Sequence, residues 1–299
     1  MHAYYCDHFV LPLPPHHRFP MEKYSLLRHR VARELPDVQM YVPPAATTDE
    51  LIRIHDPGYV RQVFQGALCP DQIRRIGFPW SPQLVERSRR SVGGTIAAAR
   101  QAIVDGGAVN LAGGTHHAFA DRGEGFCVFN DVAVSIAAMR HEGRIGRAAV
   151  VDLDVHQGNG TARIFQEDEA VYTASVHGEA NFPFRKEASD LDVALPDGAD
   201  DRAFLAATEK VLDGALDHGP DLLYYVAGAD PFVDDRLGRL SVSSTGLADR
   251  DTMVTEACRT RGVPLVVVMA GGYGLDVADT VAIHFNSVRA LLEESRKVA

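Results

Sequence analysis

The chain has 299 residues, of which 46% are hydrophobic and 23% charged, the balance of an ordinary globular protein. Its net charge of −10 argues against a general grip on nucleic acid, and no apolar run approaches the ~20 residues of a membrane span. Four cysteines (Cys6, Cys69, Cys127, Cys258) without a Cys-x-x-Cys pair fit reduced thiols in a cytoplasmic protein, and the N-terminus lacks the pattern of a signal peptide.

Residues 1–80 are rich in Pro, His and turn signals (PLPPHH, VPPAATTDE, HDPGYV) and read as rim and loops. A helix is expected over 81–105, followed by a strand at AVNLA (108–112) and a helix over 130–142. AAVVDLDV (148–155) reads as the next strand, 159–167 as a helix, and AVYTASV (170–176) as a strand. The pattern repeats as helix 201–218, strand DLLYYVAG (221–228), helix 246–261, strand PLVVVMAG (264–271) and helix 276–296. Short β-branched runs alternating with helical patterns predict an α/β fold: a mostly parallel sheet with helices on both faces, in one domain over 1–299.

The polar residues gather where these strands end. AVNLA runs into His116 and His117, VVDLDV into HQGNG, VYTASV into His177, LLYYVAG into Asp230, and VVVMAG into Gly272 and Tyr273. In open α/β sheets the ligand crevice lies outside the carboxyl ends of the strands, so these residues converge on one rim. Asp152, Asp154 and His156 alternate, and in an extended strand they share a side. Burying them unpartnered would cost several kcal/mol, so a cation, a hydrogen-bond network or both must compensate.

Taken singly, each residue has a plainer reading. Asp230 would be a helix cap, His116 and His117 buried polar residues, and Tyr273, Phe126, Phe129 and Phe182 packing residues. His16, His17, His29, His55, His141 and His218 read as surface or loop histidines. Together, Asp154, His156 and Asp230 make a one-imidazole, two-carboxylate set with room for water, the pattern of a catalytic divalent site. Zinc is the leading ion and Fe(II) an alternative. His116 and His117 could move protons and Tyr273 could hold an oxyanion, which implies metal-assisted hydrolysis of an amide or ester.

GGTHHAFADRGEGFCVFND, VVDLDVHQGNGT, SVHG, AGADPF and AGGYG, in this order, resemble the zinc-dependent histone deacetylase family over nearly the whole chain. HRFPMEKY (17–24), the HQGNG form and the short length look most like its class IV branch and bacterial relatives. The resemblance implies an arginase-like fold with a central eight-stranded parallel sheet. By position it makes Asp154, His156 and Asp230 zinc ligands, and His117 the general base and then acid, supported by Asn159. His116 becomes its electrostatic partner on Asp152, and Tyr273 the oxyanion donor. Phe126 and Phe182 would wall an acyl-lysine tunnel, with Gly125 as its backbone acceptor and Leu240 on its lip, while Arg18 resembles an arginine that guards an internal product channel. A potassium ion would sit near zinc on Asp152, Asp154, His156, Ser175 and Val176, with a weaker monovalent site near Phe165, Asp168 and Val171.

Two departures carry physical consequences. Gln157 stands where class I members have a second His, and Asn159 where an Asp is usual. An amide does not stabilise an imidazolium as a carboxylate does, so His117 is expected to lose its proton more readily. The acidic pair that anchors a peptide in class I enzymes has no counterpart in GFPWSPQ (77–83). The implied activity is hydrolysis of Nε-acyl-lysine, acetyl or longer, on a protein or peptide, or of a small acylated amine. Acetylpolyamine hydrolysis ranks second, because 55–80 lacks the long insertion of members with that activity. An arginase-type ureohydrolase would need a second ligand set that ADPFVDD (229–235) does not supply, and an acyl-group reader would have no need of Tyr273.

Overall fold

Four of the apolar strand runs are buried on both faces and lie at the middle of a single sheet, because helices cover each side of it. The computed structural model describes residues 1–297. Its strands are β1 (His2–Tyr4), β2 (Gln39–Tyr41), β3 (Gly107–Asn110), β4 (Ala148–Asp152), β5 (Val171–Gly178), β6 (Leu191–Leu195), β7 (Leu222–Val226) and β8 (Leu265–Val268). They form one eight-stranded sheet in the order β2-β1-β3-β8-β7-β4-β5-β6, with every neighbouring pair parallel.

The helices are α1 (Glu22–Glu34), α2 (Thr48–Leu51), α3 (Pro57–Gln65), α4 (Pro70–Ile76), α5 (Pro82–Asp105) and α6 (Asp131–His141), then α7 (Asn159–Phe165), α8 (Asp201–Asp217), α9 (Ser244–Arg261) and α10 (Val277–Arg296). Alternation along the strands divides the interior into two cores. Leu223, Tyr225 and Val267 face α1, α8, α9 and α10, whereas Tyr224, Val226 and Val268 face α5 and α6. The helices start where short polar side chains can satisfy exposed backbone N–H groups. Ser81 accepts from Leu84, Asn130 from Ala133, Asp200 from Ala203 and Ser243 from Gly246.

The expected elements all form; β3, β4, β7 and β8 end earlier than their apolar runs, whereas β5 continues through His177 to Gly178. The first 80 residues are more than rim and loops: they supply the edge strands β1 and β2 and the helices α1 to α4. Three-residue strands carry no readable period. In α1 the buried Tyr24, Leu27 and Val31 do follow a helical spacing, but within an otherwise polar segment. Strand β6 went unread for a related reason, since it lies at the sheet edge and alternates with exposed Asp192 and Ala194.

Helix α5 packs closely because two of its residues lack side chains. A Cβ on Gly93 would lie 1.9 Å from the Pro44 carbonyl oxygen, and one on Gly94 2.8 Å from Asn110. Elsewhere in a helix, Gly→Ala gains about 1 kcal/mol. Here the backbone contact reverses the sign, and Gly93→Ala should lose about 1–3 kcal/mol by overpacking, read as a lower midpoint in urea unfolding.

Candidate active site

The functional side chains lie just past the carboxyl ends of β3, β8, β7 and β4, four adjacent strands at the sheet's centre. Strand β4 ends at Asp152, so Asp154 and His156 are carried by the turn that follows rather than by an extended strand. That turn is closed by its own carboxylates: Asp154 N–H donates to Asp152 Oδ1 at 3.2 Å and His156 N–H to Asp154 Oδ1 at 2.9 Å. From neighbouring loops, Gly271 N–H donates to Asp154 Oδ2 at 2.8 Å, and Asp230 Oδ1 accepts from Val155 N–H at 3.0 Å. Asp230 is therefore not a helix cap.

One ligand atom each from Asp154, His156 and Asp230 lies within 4.8 Å of the others, and all three residues are buried. Asp230 Oδ2 is buried with no hydrogen-bond partner. Glycines make this crowding feasible, because a Cβ on Gly271 would fall 2.0 Å from Asp230 Oδ2 and one on Gly228 2.7 Å from Asp154 Oδ2. An orphaned buried carboxylate oxygen facing an imidazole and a second carboxylate fits a divalent cation.

Without a cation the three ligands share protons instead. Burial alone would lower the His156 pKa, but its hydrogen bond to Asp154 (2.9 Å) and the charge of Asp230, whose Oδ2 lies 3.2 Å from Nδ1 without a formed hydrogen bond, raise it to about 10. Burial and the Asp154 charge raise Asp230 to about 7. Asp154, despite its burial, is held well below the usual carboxylate range by His116 and His156.

The two adjacent histidines receive opposite treatment. His116 Nδ1 bonds Asp152 Oδ2 at 2.6 Å, and although burial favours its neutral form, Asp152 and Asp154 raise its pKa to about 9. His117 Nδ1 lies 2.7 Å from Asn159 Oδ1, an acceptor, so Nδ1 carries the proton and Nε2 keeps its lone pair. Burial first, then cationic His116 and His156, hold the His117 pKa well below the usual imidazole value. The Tyr273 phenol is pushed well above its ordinary pKa by burial and by Asp230 and Asp154, so it remains a donor.

His116, His117, Asp154, His156 and Tyr273 line a cavity of about 770 Å³ that opens to solvent, with Asp230 buried just behind the ligand pair. The Phe182 ring meets His117 edge-on at 4.9 Å, and Phe126 faces Tyr273 at 6.0 Å. Gly125 (φ +55°) and Phe126 (φ +65°) make the left-handed turn between these walls. A Cβ on Gly125 would strike His117 at 2.6 Å. Two sequence assignments move. Leu240 is buried in the core rather than on the lip, and Leu237, three residues earlier, lines the cavity instead. Arg18, expected beside an internal channel, is exposed and lines the cavity. The cation buried beside Tyr273 is Lys23, which donates to the carbonyls of Ala270 (3.1 Å) and Gly272 (3.4 Å) and lies 5.5 Å from the Tyr273 ring centre.

The chain's residues 17–288 match the histone deacetylase domain. An uncharacterized protein of Picosynechococcus is 44% identical, with 94% of each chain covered. The chain belongs to the histone deacetylase family. Histone deacetylase 2 of Arabidopsis thaliana is 32% identical over 80% of this chain and 65% of its own, and the histone deacetylase-like amidohydrolase of Pseudomonas aeruginosa 31% identical over 79% and 66%. This chain thus spans about two thirds of those two named relatives. The crystal structure of the HDA15 HD domain shares the fold with a TM-score of 0.83 at 21% identity, covering 98% of this chain and 91% of that one.

The residues expected to hold monovalent ions are also placed. Asp152 pairs in register with Ser175, with Val176 next along β5, so the three are adjacent. Phe165, Asp168 and Val171 form a turn in which Asp168 N–H donates to Phe165 O and Val171 N–H to Asp168 O, each at 2.9 Å. Among the histidines read as surface residues, His55 is instead buried: its Nδ1 bonds Phe119 O at 3.0 Å, its Nε2 accepts from Asn130 N–H at 3.0 Å, and burial lowers its pKa to about 4.

Sequence reading also missed Arg250. It is wholly buried and donates to Gly228 O at 2.6 Å, two residues before Asp230, while pairing with Asp251 at 2.9 Å. Asp251 in turn accepts from Tyr225 (2.6 Å) and Ser287 (2.8 Å). Nothing in an RD pair within a helical pattern separates it from a surface pair.

Two outcomes follow from this geometry. Because His156 and Asp230 hold protons near neutrality, loading zinc onto the metal-free protein should release protons. Calorimetry in buffers of different ionisation enthalpy should show that release, and zinc affinity should rise from pH 6 to 8. Arg250→Met should weaken zinc binding about 10- to 100-fold in chelator competition on the folded fraction, with Arg250→Lys in between.

Proposed function

We propose that this protein is a metal-dependent deacylase that hydrolyses the amide of Nε-acyl-lysine, acetyl or longer. The observation that carries the reading is the cluster of Asp154, His156 and Asp230, whose first two members share one aromatic-walled cavity with a neutral His117 and the Tyr273 phenol. Zinc is the ion proposed for these ligands, with Fe(II) able to fill the same set, and a potassium ion is proposed beside Asp152, Ser175 and Val176. When bound, the divalent ion supplies Lewis-acid polarisation of the acyl carbonyl and a lower pKa for water.

The chain's own groups do the rest. Phe126 and Phe182 hold the acyl-lysine stem, and Gly125 offers its carbonyl to the amide N–H. His117 Nε2 takes the proton of the attacking water, its tautomer fixed by Asn159. Cationic His116, locked on Asp152, lies with its ring centre 4.1 Å from His117 and favours charge building on the acyl oxygen. The Tyr273 O–H donates to that oxygen. The imidazole pair then returns a proton to the departing lysine amine.

The acylated amine is proposed to be part of a protein or peptide, in a cytoplasmic setting that suits four unpaired cysteines. The test is an acyl-length series on one lysine peptide, run beside acetylated polyamines, with metal content measured on the same preparation. Faster turnover of the polyamines would move the substrate assignment while keeping the site. Tyr273→Phe should lower turnover about 10²–10³-fold with substrate binding kept. Unchanged turnover would remove Tyr273 from the oxyanion role.

A further inference from the structure

Aspartate and glutamate outnumber lysine and arginine 40 to 30 in this chain, yet the outer part of the cavity reverses the balance. Arg18, Arg74, Arg75 and Arg239 line it there, with Glu124 as the one carboxylate outside the ligand set. These arginines come from three segments, each tied down by hydrogen bonds next to the arginine. The end of α4 is fixed to the cavity wall, where Gly125 N–H donates to Arg75 O at 2.9 Å and Phe126 N–H to Ile76 O at 2.7 Å. Next to Arg18, His17 Nε2 bonds Gly77 O at 2.9 Å, and Arg239 O accepts from Gly198 N–H at 2.7 Å.

Arg74 and Arg239 have exposed carboxylate neighbours, Asp71 and Asp197. Among the described residues, Arg18 and Arg75 make no ion pair, and all four guanidinium-bearing residues are exposed. The adjoining segment 77–83 contributes no carboxylate. A guanidinium presents a planar fork of donors that matches a carboxylate, so this rim is suited to bind anions and to repel cations.

Resting on the deacylase reading above, we propose that the acylated lysine lies in an acidic stretch of polypeptide, with Asp or Glu side chains flanking it on the rim. The anionic groups belong to the flanking residues rather than to the acyl chain, because the arginines stand outside while Phe126, Phe182 and Tyr273 line the wall. Phe184, 89% exposed and also on the cavity, offers the same peptide an apolar contact. Each rim contact is solvent-exposed and weak alone, so the preference should come from several together and fade with salt.

The experiment uses the full zinc-loaded chain and three acetyl-lysine peptides of equal length, flanked by acidic, neutral or basic residues. At low salt, kcat/KM should favour the acidic over the basic peptide by about 10-fold, with the neutral one between. Raising the salt should narrow that gap, and the exposed charge reversal Arg18→Glu with Arg75→Glu should invert the order. If the neutral peptide is cleaved and the acidic one gains nothing over the basic one, the rim proposal is wrong while the deacylase reading stands. If none of the three is cleaved, while acyl-lysine peptides of other acyl lengths also survive, the deacylase reading itself falls.

Discussion

Two carboxylates, Asp154 and Asp230, are buried within reach of one another, and much of the site's architecture answers that constraint. Solvating them with backbone donors takes loops from three neighbouring strand ends, which is why Val155 and Gly271 N–H groups point inward. With His156 N–H they satisfy three oxygens and leave Asp230 Oδ2 without a backbone donor, facing only the His156 ring at 3.2 Å. The residual charge can be met by protons, as the raised pKa values of His156 and Asp230 show, or by a cation. Gly228 and Gly271 belong to the same requirement, since any side chain there would occupy the space beside the carboxylate oxygens.

The imidazole pair illustrates how one residue type acquires two protonation states. His116 and His117 are adjacent in sequence and buried alike, so burial cannot separate them. Their partners do. A carboxylate on His116 outweighs desolvation, while an amide on His117 does not. Pairs of titratable groups with pKa values pushed apart are how a site assigns a base and a charge stabiliser at one pH. Asn159 in place of an Asp sharpens that split, because an Asp would draw a proton onto both rings.

The sheet and the residues at its strand ends were legible because strong β-branched runs terminate in His, Asp and Tyr, a pattern with a direct topological meaning. What resisted reading was decided by contacts remote in sequence. The side chains of Lys23 and Arg250 look like ordinary surface charges until α1 and α9 are folded against the loops after β8 and β7. Leu240 and Leu237 are both apolar residues in one loop, and only the path of the backbone between them decides which faces the cavity. His55 likewise offered no periodic context, and its burial is fixed by Phe119 and Asn130, more than sixty residues away.

The two hidden cations solve a problem they share with the carboxylates. Neither a buried lysine nor a buried acid is stable alone, and here Lys23 is joined to Asp154 and to Asp235 through single peptide groups. Lys23 donates to Ala270 O, and the N–H of that same peptide, on Gly271, donates to Asp154. It also reaches Gly272 O, whose peptide N–H, on Tyr273, donates to Asp235 at 2.6 Å. Arg250 holds Gly228 O, and the matching N–H, on Ala229, donates to Gly271 O at 3.0 Å. Each peptide is polarised from both ends, which strengthens both bonds and fixes its orientation. The positive charge thus stays behind the loops, where it cannot compete for the ligand oxygens, yet it orients the backbone donors that hold Asp154 and the approach to Tyr273. A carboxylate partner for Lys23 would neutralise it locally and leave those peptides unpolarised, which gives a physical reason for a buried lysine to bond carbonyls instead.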